Sequence, residues 1–439
     1  MRTRTAVALV IVHALSPIAA RAQEPSAQQA ALQQLVNEQL RRIEALEARL
    51  AQLQQEVNVM KGSPSPGANQ PPITVVEDQL KEPFEHAADG TAPADPDEVG
   101  PAADLPRALN IDSYGSLRAM IVHDVKGHQE VSNNSSRVGI RGEKPLIGRF
   151  AAFGRWEAGI NLVANDRAIL LTGGDPGTPI GQGSQAVFSR LGFVGVKTPI
   201  GDFSWGKQWS PYYDVAEFSD QLVVFSGLAS GAFGAGTDGG LAGTGRSERA
   251  VLYRETWGPV GVGLQVQNRT LTANNRSWGN TFGGSLLLGH RNGFAAGAAY
   301  NEVRDGVPNP TVNEPQLGDK AAIFGARFRG DRFYVGGIYS ILKQHEVDDL
   351  GRRFDGNGFE LAGRRNLAAR FWVEAAYNDL SPNSDHLGDF RLRFGAANIV
   401  YDWALASRLF FGFRLDDSRN SDRTSSTRST FALGLNYTF

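Results

Sequence analysis

The sequence predicts an all-β protein, a 16-stranded antiparallel transmembrane β-barrel, preceded by an N-terminal α-helical coiled coil. Three observations carry that expectation. The last stretch, Thr427 to Phe439, alternates strictly: Phe431, Leu433, Leu435, Tyr437 and Phe439 share one face, and Ala432, Gly434, Asn436 and Thr438 share the other. After Leu109 the chain breaks into sixteen runs with this period of two. The connections between them alternate between tight and long, which sorts them onto two rims of a closed sheet.

In 439 residues the composition is 41% hydrophobic and 21% charged, with 51 glycines and no cysteine. No stretch past the N-terminus reaches the roughly 18 apolar residues of a membrane helix. Spanning by strands remains open, because alternating strands average out to modest hydropathy. The lack of cysteine removes disulfides, thiol catalysis and thiolate metal sites.

Residues 1–22 read as a secretory signal: Arg2 and Arg4 precede the apolar run Ala6 to Leu15, and Ala20-Arg21-Ala22 supplies a small-residue cleavage site. Residues 23–62 keep a seven-residue beat. Val36, Ile43, Leu50 and Val57 form one seam position, and Leu32, Gln39, Leu46, Leu53 and Met60 form the other, so a self-associating coiled coil is expected, and its mixed Val, Ile and Leu seams permit it to serve as a trimerisation helix. Arg42 and Glu47 flank that seam, and Gln39 is its one polar residue. Residues 63–107 are proline-rich and acidic, with nine carboxylates against Lys81 and Arg107, as an extended solvated linker would be.

Residues 108–439 form the expected barrel. The runs fall at 111–123, 135–145, 149–163, 186–198, 201–210, 248–256, 259–268, 280–289, 294–303, 320–329, 332–344, 355–364, 367–378, 389–400, 404–416 and 428–439. The expected long loops are 124–134, 164–185, 211–247, 304–319 and 417–427. Within the runs, Trp156 alternates with Arg155 and Glu157; Phe411, Phe413 and Leu415 alternate with Gly412, Arg414 and Asp416. Likewise Phe390, Leu392 and Phe394 alternate with Arg391 and Arg393, so charges are expected to face a wet lumen and aromatics the lipid. Trp209, Tyr212, Tyr213, Trp257, Trp278 and Tyr377 lie near strand ends, where interfacial girdles are expected.

Three segments resemble the trimeric general diffusion porins of Gram-negative outer membranes. Ser136 to Glu143 followed by Gly154-Arg155-Trp156-Glu157 is similar to that family's second and third strands; Gly201 to Gln208 and Arg249 to Glu255 are similar to its fifth and sixth. The resemblance covers residues 111–439. It implies a homotrimer in outer-membrane lipid and lipopolysaccharide, passing small hydrophilic solutes and ions without catalysis or cofactor. It also implies that the third external loop, 211–247, folds inward to narrow the pore.

By motif position Arg137, Lys207 and Arg254 match the family's basic wall, with Arg141 and Arg155 beside them. Asp220 matches one acid of the loop. Val224 stands where the other acid is expected, before Phe225-Ser226-Gly227, and Asp214 or Glu217 is placed to restore the charge. An anion- or phosphate-selective porin and a mainly structural anchor to the cell wall are the alternatives. The N-terminal coiled coil is then periplasmic, with peptidoglycan as its partner.

Other signals carry little. Gly227 to Gly245 lacks the Gly-Lys-Ser/Thr ending of a phosphate cradle. His123, His128, His290, His345 and His386 lack ligand spacing and read as loop and interface residues, so no metal site is expected. Nothing points to nucleic acid.

Overall fold

The computed structural model describes residues 110–163, 187–225, 227–269, 278–290, 292–307, 310, 314–383, 388–404, 407–422 and 429–439. The expected signal segment, coiled-coil seam, linker and His386 lie outside these residues.

Sixteen antiparallel strands close on themselves. They are β1 (Asn110–Asp124), β2 in two segments (Gln129–Asn133 and Arg137–Pro145), β3 (Ala151–Ile160), β4 (Val187–Thr198), β5 (Gly201–Trp209), β6 (Arg246–Trp257), β7 (Val260–Gln267) and β8 (Thr281–Gly289). The second half comprises β9 (Gly293–Val303), β10 (Lys320–Arg329), β11 (Phe333–Val347), β12 (Arg353–Ala368), β13 (Phe371–Pro382), β14 (Leu392–Ala404), β15 (Ser407–Asp416) and β16 (Thr430–Thr438). Each strand pairs with its neighbours in sequence, and β16 pairs back onto β1 from Ser116↔Thr438 to Asp124↔Thr430. Gly115 and Phe439 exchange both backbone hydrogen bonds at 2.9 Å to finish the seam. Closure matters because an open edge would leave N–H and C=O groups unpaired in hydrocarbon.

The expected long loop at 124–134 is instead a hairpin. The carboxylate of Asp124 accepts from the backbone N–H groups of Lys126 and His128, both at 2.9 Å, and this cap closes the turn at 125–128. The partner strand then runs to Asn133, is interrupted around Ser135 at φ 61°, and resumes on the same side of β1. Elsewhere the loops sort as expected, with tight turns such as 199–200, 258–259 and 369–370 on one rim and the loop 210–245 on the other.

The alternation of β16 is realised: Phe431, Leu433, Leu435, Tyr437 and Phe439 are exposed on the outer wall, while Ala432 and Asn436 are buried inside. β15 follows the same phase, with Phe411 and Leu415 outside and Arg414 inside. β14 reverses it. Leu392 and Phe394 are buried on the inner face, and Arg391 and Arg393 hold Asp379 at the long-loop rim, Arg393 at 3.2 Å. The inner face of β14 is apolar because something inside the barrel covers it.

Candidate functional site

What covers it is the third loop. It leaves β5 after Trp209, makes one turn of helix α1 (Tyr213–Ala216), crosses the lumen and returns to β6. Val215, Phe218, Val224, Phe225, Leu228, Ala229 and Ala232 on the loop share one buried apolar cluster with Ile323, Ile338, Leu342, Phe354, Phe394 and Phe410 on the wall. Those wall residues occupy lumen-facing positions, and the apolar side of the loop shares in the burial that keeps water from them. Trp209, Tyr212 and Tyr213 belong to the same cluster. They are buried with the loop and form no girdle, whereas Trp257, Trp278 and Tyr377 are exposed.

The loop has little regular structure, so its backbone groups need partners from elsewhere. The wall provides them. Buried Glu360 accepts from Ala229 N–H at 2.5 Å and from the Ser219 hydroxyl; Glu374 accepts from Val223 N–H at 2.8 Å. The side chain of Asn378 accepts from Leu228 N–H at 3.0 Å, and Glu346 accepts from Ala235 N–H at 2.8 Å. In the other direction Ser340 donates to Ala229 O at 2.8 Å, Tyr334 to Phe218 O at 2.8 Å and Asn398 to Val224 O at 3.2 Å. Such close approach requires glycine beneath: a Cβ at Gly358 would sit 1.7 Å from Ala229 O, and one at Gly336 would sit 2.1 Å from Phe218 O. His345, expected at an interface, is instead fully buried on β11, with Nδ1 2.6 Å from Asp319 and Nε2 2.6 Å from Gly231 O of the loop.

The candidate charges separate into groups. Glu157, fully buried, is surrounded by Arg190 at 2.7 Å, Arg155 at 3.1 Å and Arg137 at 3.9 Å. The Tyr114 hydroxyl donates to it at 3.0 Å. Three arginines around one carboxylate leave this side of the wall positive. Lys207 faces the returning limb of the loop, where it pairs with Asp238 at 2.8 Å; it also pairs with Glu248 near the start of β6 at 2.9 Å, and Arg246 adds a contact to Asp238 at 3.6 Å. Although burial opposes ionisation of Asp238, Arg246 and Lys207 hold its carboxyl below the ordinary range.

Arg254 binds Asp214 at the start of the loop at 2.8 Å. Arg141 lies apart, exposed, 3.6 Å from Asp112. Asp220 accepts from the Tyr213 hydroxyl at 2.7 Å, and Glu217 is half-buried beside Asp214. Val224 is fully buried; a Cβ at Gly412 on β15 would lie 3.0 Å from its Cγ1. A carboxylate at position 224 would therefore enter a closed contact and not the passage.

Sequence alternation misses Arg190 and Asp238. Arg190 sits where the β3–β4 register slips, between Glu157↔Leu191 and Ala158↔Ser189, so both Arg190 and Leu191 turn inward. Asp238 lies in a glycine-rich segment with no period to read. Among the described residues no group of three or more acidic or histidine side chains is arranged to hold a metal ion.

A sequence model of the Gram-negative porins matches residues 88–439. The chain belongs to the Gram-negative porin family. Outer membrane porin F of Xenorhabdus nematophila is 26% identical to this porin over 246 residues, which is 52% of this chain and 61% of that protein. Outer membrane protein S2 of Salmonella typhi is 27% identical over 298 residues, 61% of this chain and 70% of that protein. The porin chain thus spans about three fifths of the first relative's length. Its fold is that of Salmonella typhi OmpF, solved in complex with daunomycin, with a TM-score of 0.60, 18% identity, and coverage of 75% of this chain and 97% of that one.

Glu217 is a titratable group on the loop. Burial, and then the neighbouring Asp214 carboxylate, push its pKa up to about 8 against the opposing pull of Arg327, Arg329 and Arg254. It is therefore mostly neutral at pH 7 and gains a negative charge as pH rises through about 8. The reversal potential in a salt gradient is expected to move towards cation preference across that range, and Glu217→Gln is expected to remove the step.

Proposed function

We propose that this porin is a water-filled outer-membrane channel for passive diffusion of small hydrophilic solutes and ions, narrowed by its third loop. One observation carries the reading: a closed barrel holds a loop across its own lumen, opposite a wall where Arg137, Arg155 and Arg190 outnumber Glu157. Fixed opposite charges across a narrow passage set up a transverse field, which favours dipolar solutes over apolar ones. Asp220, Asp214 and Glu217 on the loop, with Lys207 and Arg254 facing it, complete the proposed constriction. Several wall carboxylates are held by the loop's backbone and do not face the passage, so cation preference is expected to be weak. The barrel is read as one unit of a homotrimer, surrounded by outer-membrane lipid and lipopolysaccharide. In liposomes, swelling rates are expected to fall smoothly with solute size and not to saturate with any one solute; saturation by one solute would overturn general diffusion.

We also propose that residues 23–62 form a periplasmic trimeric coiled coil that the acidic linker extends towards peptidoglycan. The support is the heptad seam and the composition of the linker. Deleting residues 24–107 is expected to abolish co-sedimentation with cell-wall sacculi while leaving conductance intact. Unchanged sedimentation would remove the tether from the account.

A further inference from the structure

On the outer wall, the lipid-facing positions of three adjacent strands are small at one level. Gly363 on β12 pairs with Ala375 on β13, which pairs with Ala397 on β14. Their neighbours at the same level are Val335 on β11 and Phe413 on β15. The missing side chains leave a groove of about 1180 Å³, walled by Leu361, Val373, Tyr377, Ile399 and Phe411. That exceeds the roughly 300–1,000 Å³ of ordinary ligand clefts and suits a chain-like apolar occupant.

The groove ends in charge on the rim of tight turns. Arg365 lies one residue pair below the floor, opposite Phe333 and Val373, and Arg332 stands in the turn 330–332 beside it, joined through the Asn366 N–H to Arg332 O bond of 2.8 Å. Both arginines line the groove and are exposed. Neither guanidinium has a partner among the described residues. Asp331, in the same turn, leaves the patch net positive. A lipid-facing arginine is costly at the bilayer midplane and tolerated at headgroup depth, so Arg365 marks where headgroups lie. Short turns of such barrels face the periplasm.

We infer that this groove binds an anionic phospholipid of the periplasmic leaflet, an acyl chain lying over Gly363, Ala375 and Ala397 and the phosphate held by Arg332 and Arg365. The two parts match the two halves of such a molecule. Apolar surface takes the chain, and planar guanidinium groups take phosphate oxygens in pairs.

The test is native mass spectrometry of the purified full-length porin exchanged with palmitoyl-oleoyl phosphatidylglycerol or phosphatidylcholine. The wild type is expected to retain phosphatidylglycerol in preference to phosphatidylcholine. Arg332→Gln/Arg365→Gln is expected to lose at least about tenfold in that retention, the loss for one charge-assisted hydrogen bond. Ala375→Phe, which fills the floor without touching either arginine, is expected to lose it as well. Equal retention of the two lipids, wild-type retention by either variant, or a cross-link from Ala375→Cys to a second copy of the chain in membranes would each overturn the proposal.

Discussion

The structure depends on one constraint: a loop folded into a barrel must find partners for its own backbone. Glu360 illustrates the solution. Its carboxylate takes the Ala229 N–H and the Ser219 hydroxyl of the loop, and leaving even one such donor unpaired in a buried site costs about 1–3 kcal/mol. Glu374, Asn378, Asn398 and Ser340 repeat the arrangement on neighbouring strands. Glycine at 336 and 358 lets the loop carbonyls come close enough for these bonds to form.

That anchoring explains features that would otherwise be anomalous in a channel. The lumen-facing phenylalanines at 354, 394 and 410 are not wetted, because they belong to one buried cluster with the loop's apolar side. Acidic wall residues that a count of charges would assign to the passage serve the loop instead. The Arg137, Arg155 and Arg190 group around Glu157 keeps the opposite side of the wall positive. Charge count and charge available to a passing ion are therefore different quantities in this lumen.

The barrel was legible in the sequence because lipid imposes a period of two on nearly every strand, most cleanly at Phe431 to Phe439. The exceptions have physical causes. β14 reads backwards because its inner face meets the loop and its rim arginines stand beyond the apolar band. The turn after Asp124 was hidden because a carboxylate cap closes it, and capping leaves no periodic trace. Arg190 was hidden by a register slip, which breaks the alternation that locates inward residues. Val224 was read as a vacant acid position; what places it is contact with Gly412 on a strand nearly two hundred residues away, which no local pattern records.

The measurement that tests the anchored loop most directly is an engineered disulfide between Val224→Cys and Gly412→Cys in a chain that has no other cysteine. A Cβ at 412 lies 3.0 Å from Val224 Cγ1, within the reach of a disulfide. The account predicts that mild oxidation closes this bond within one chain and leaves single-channel conductance at its reduced value. Failure to cross-link, or a bond that forms only by shutting the channel, would contradict it.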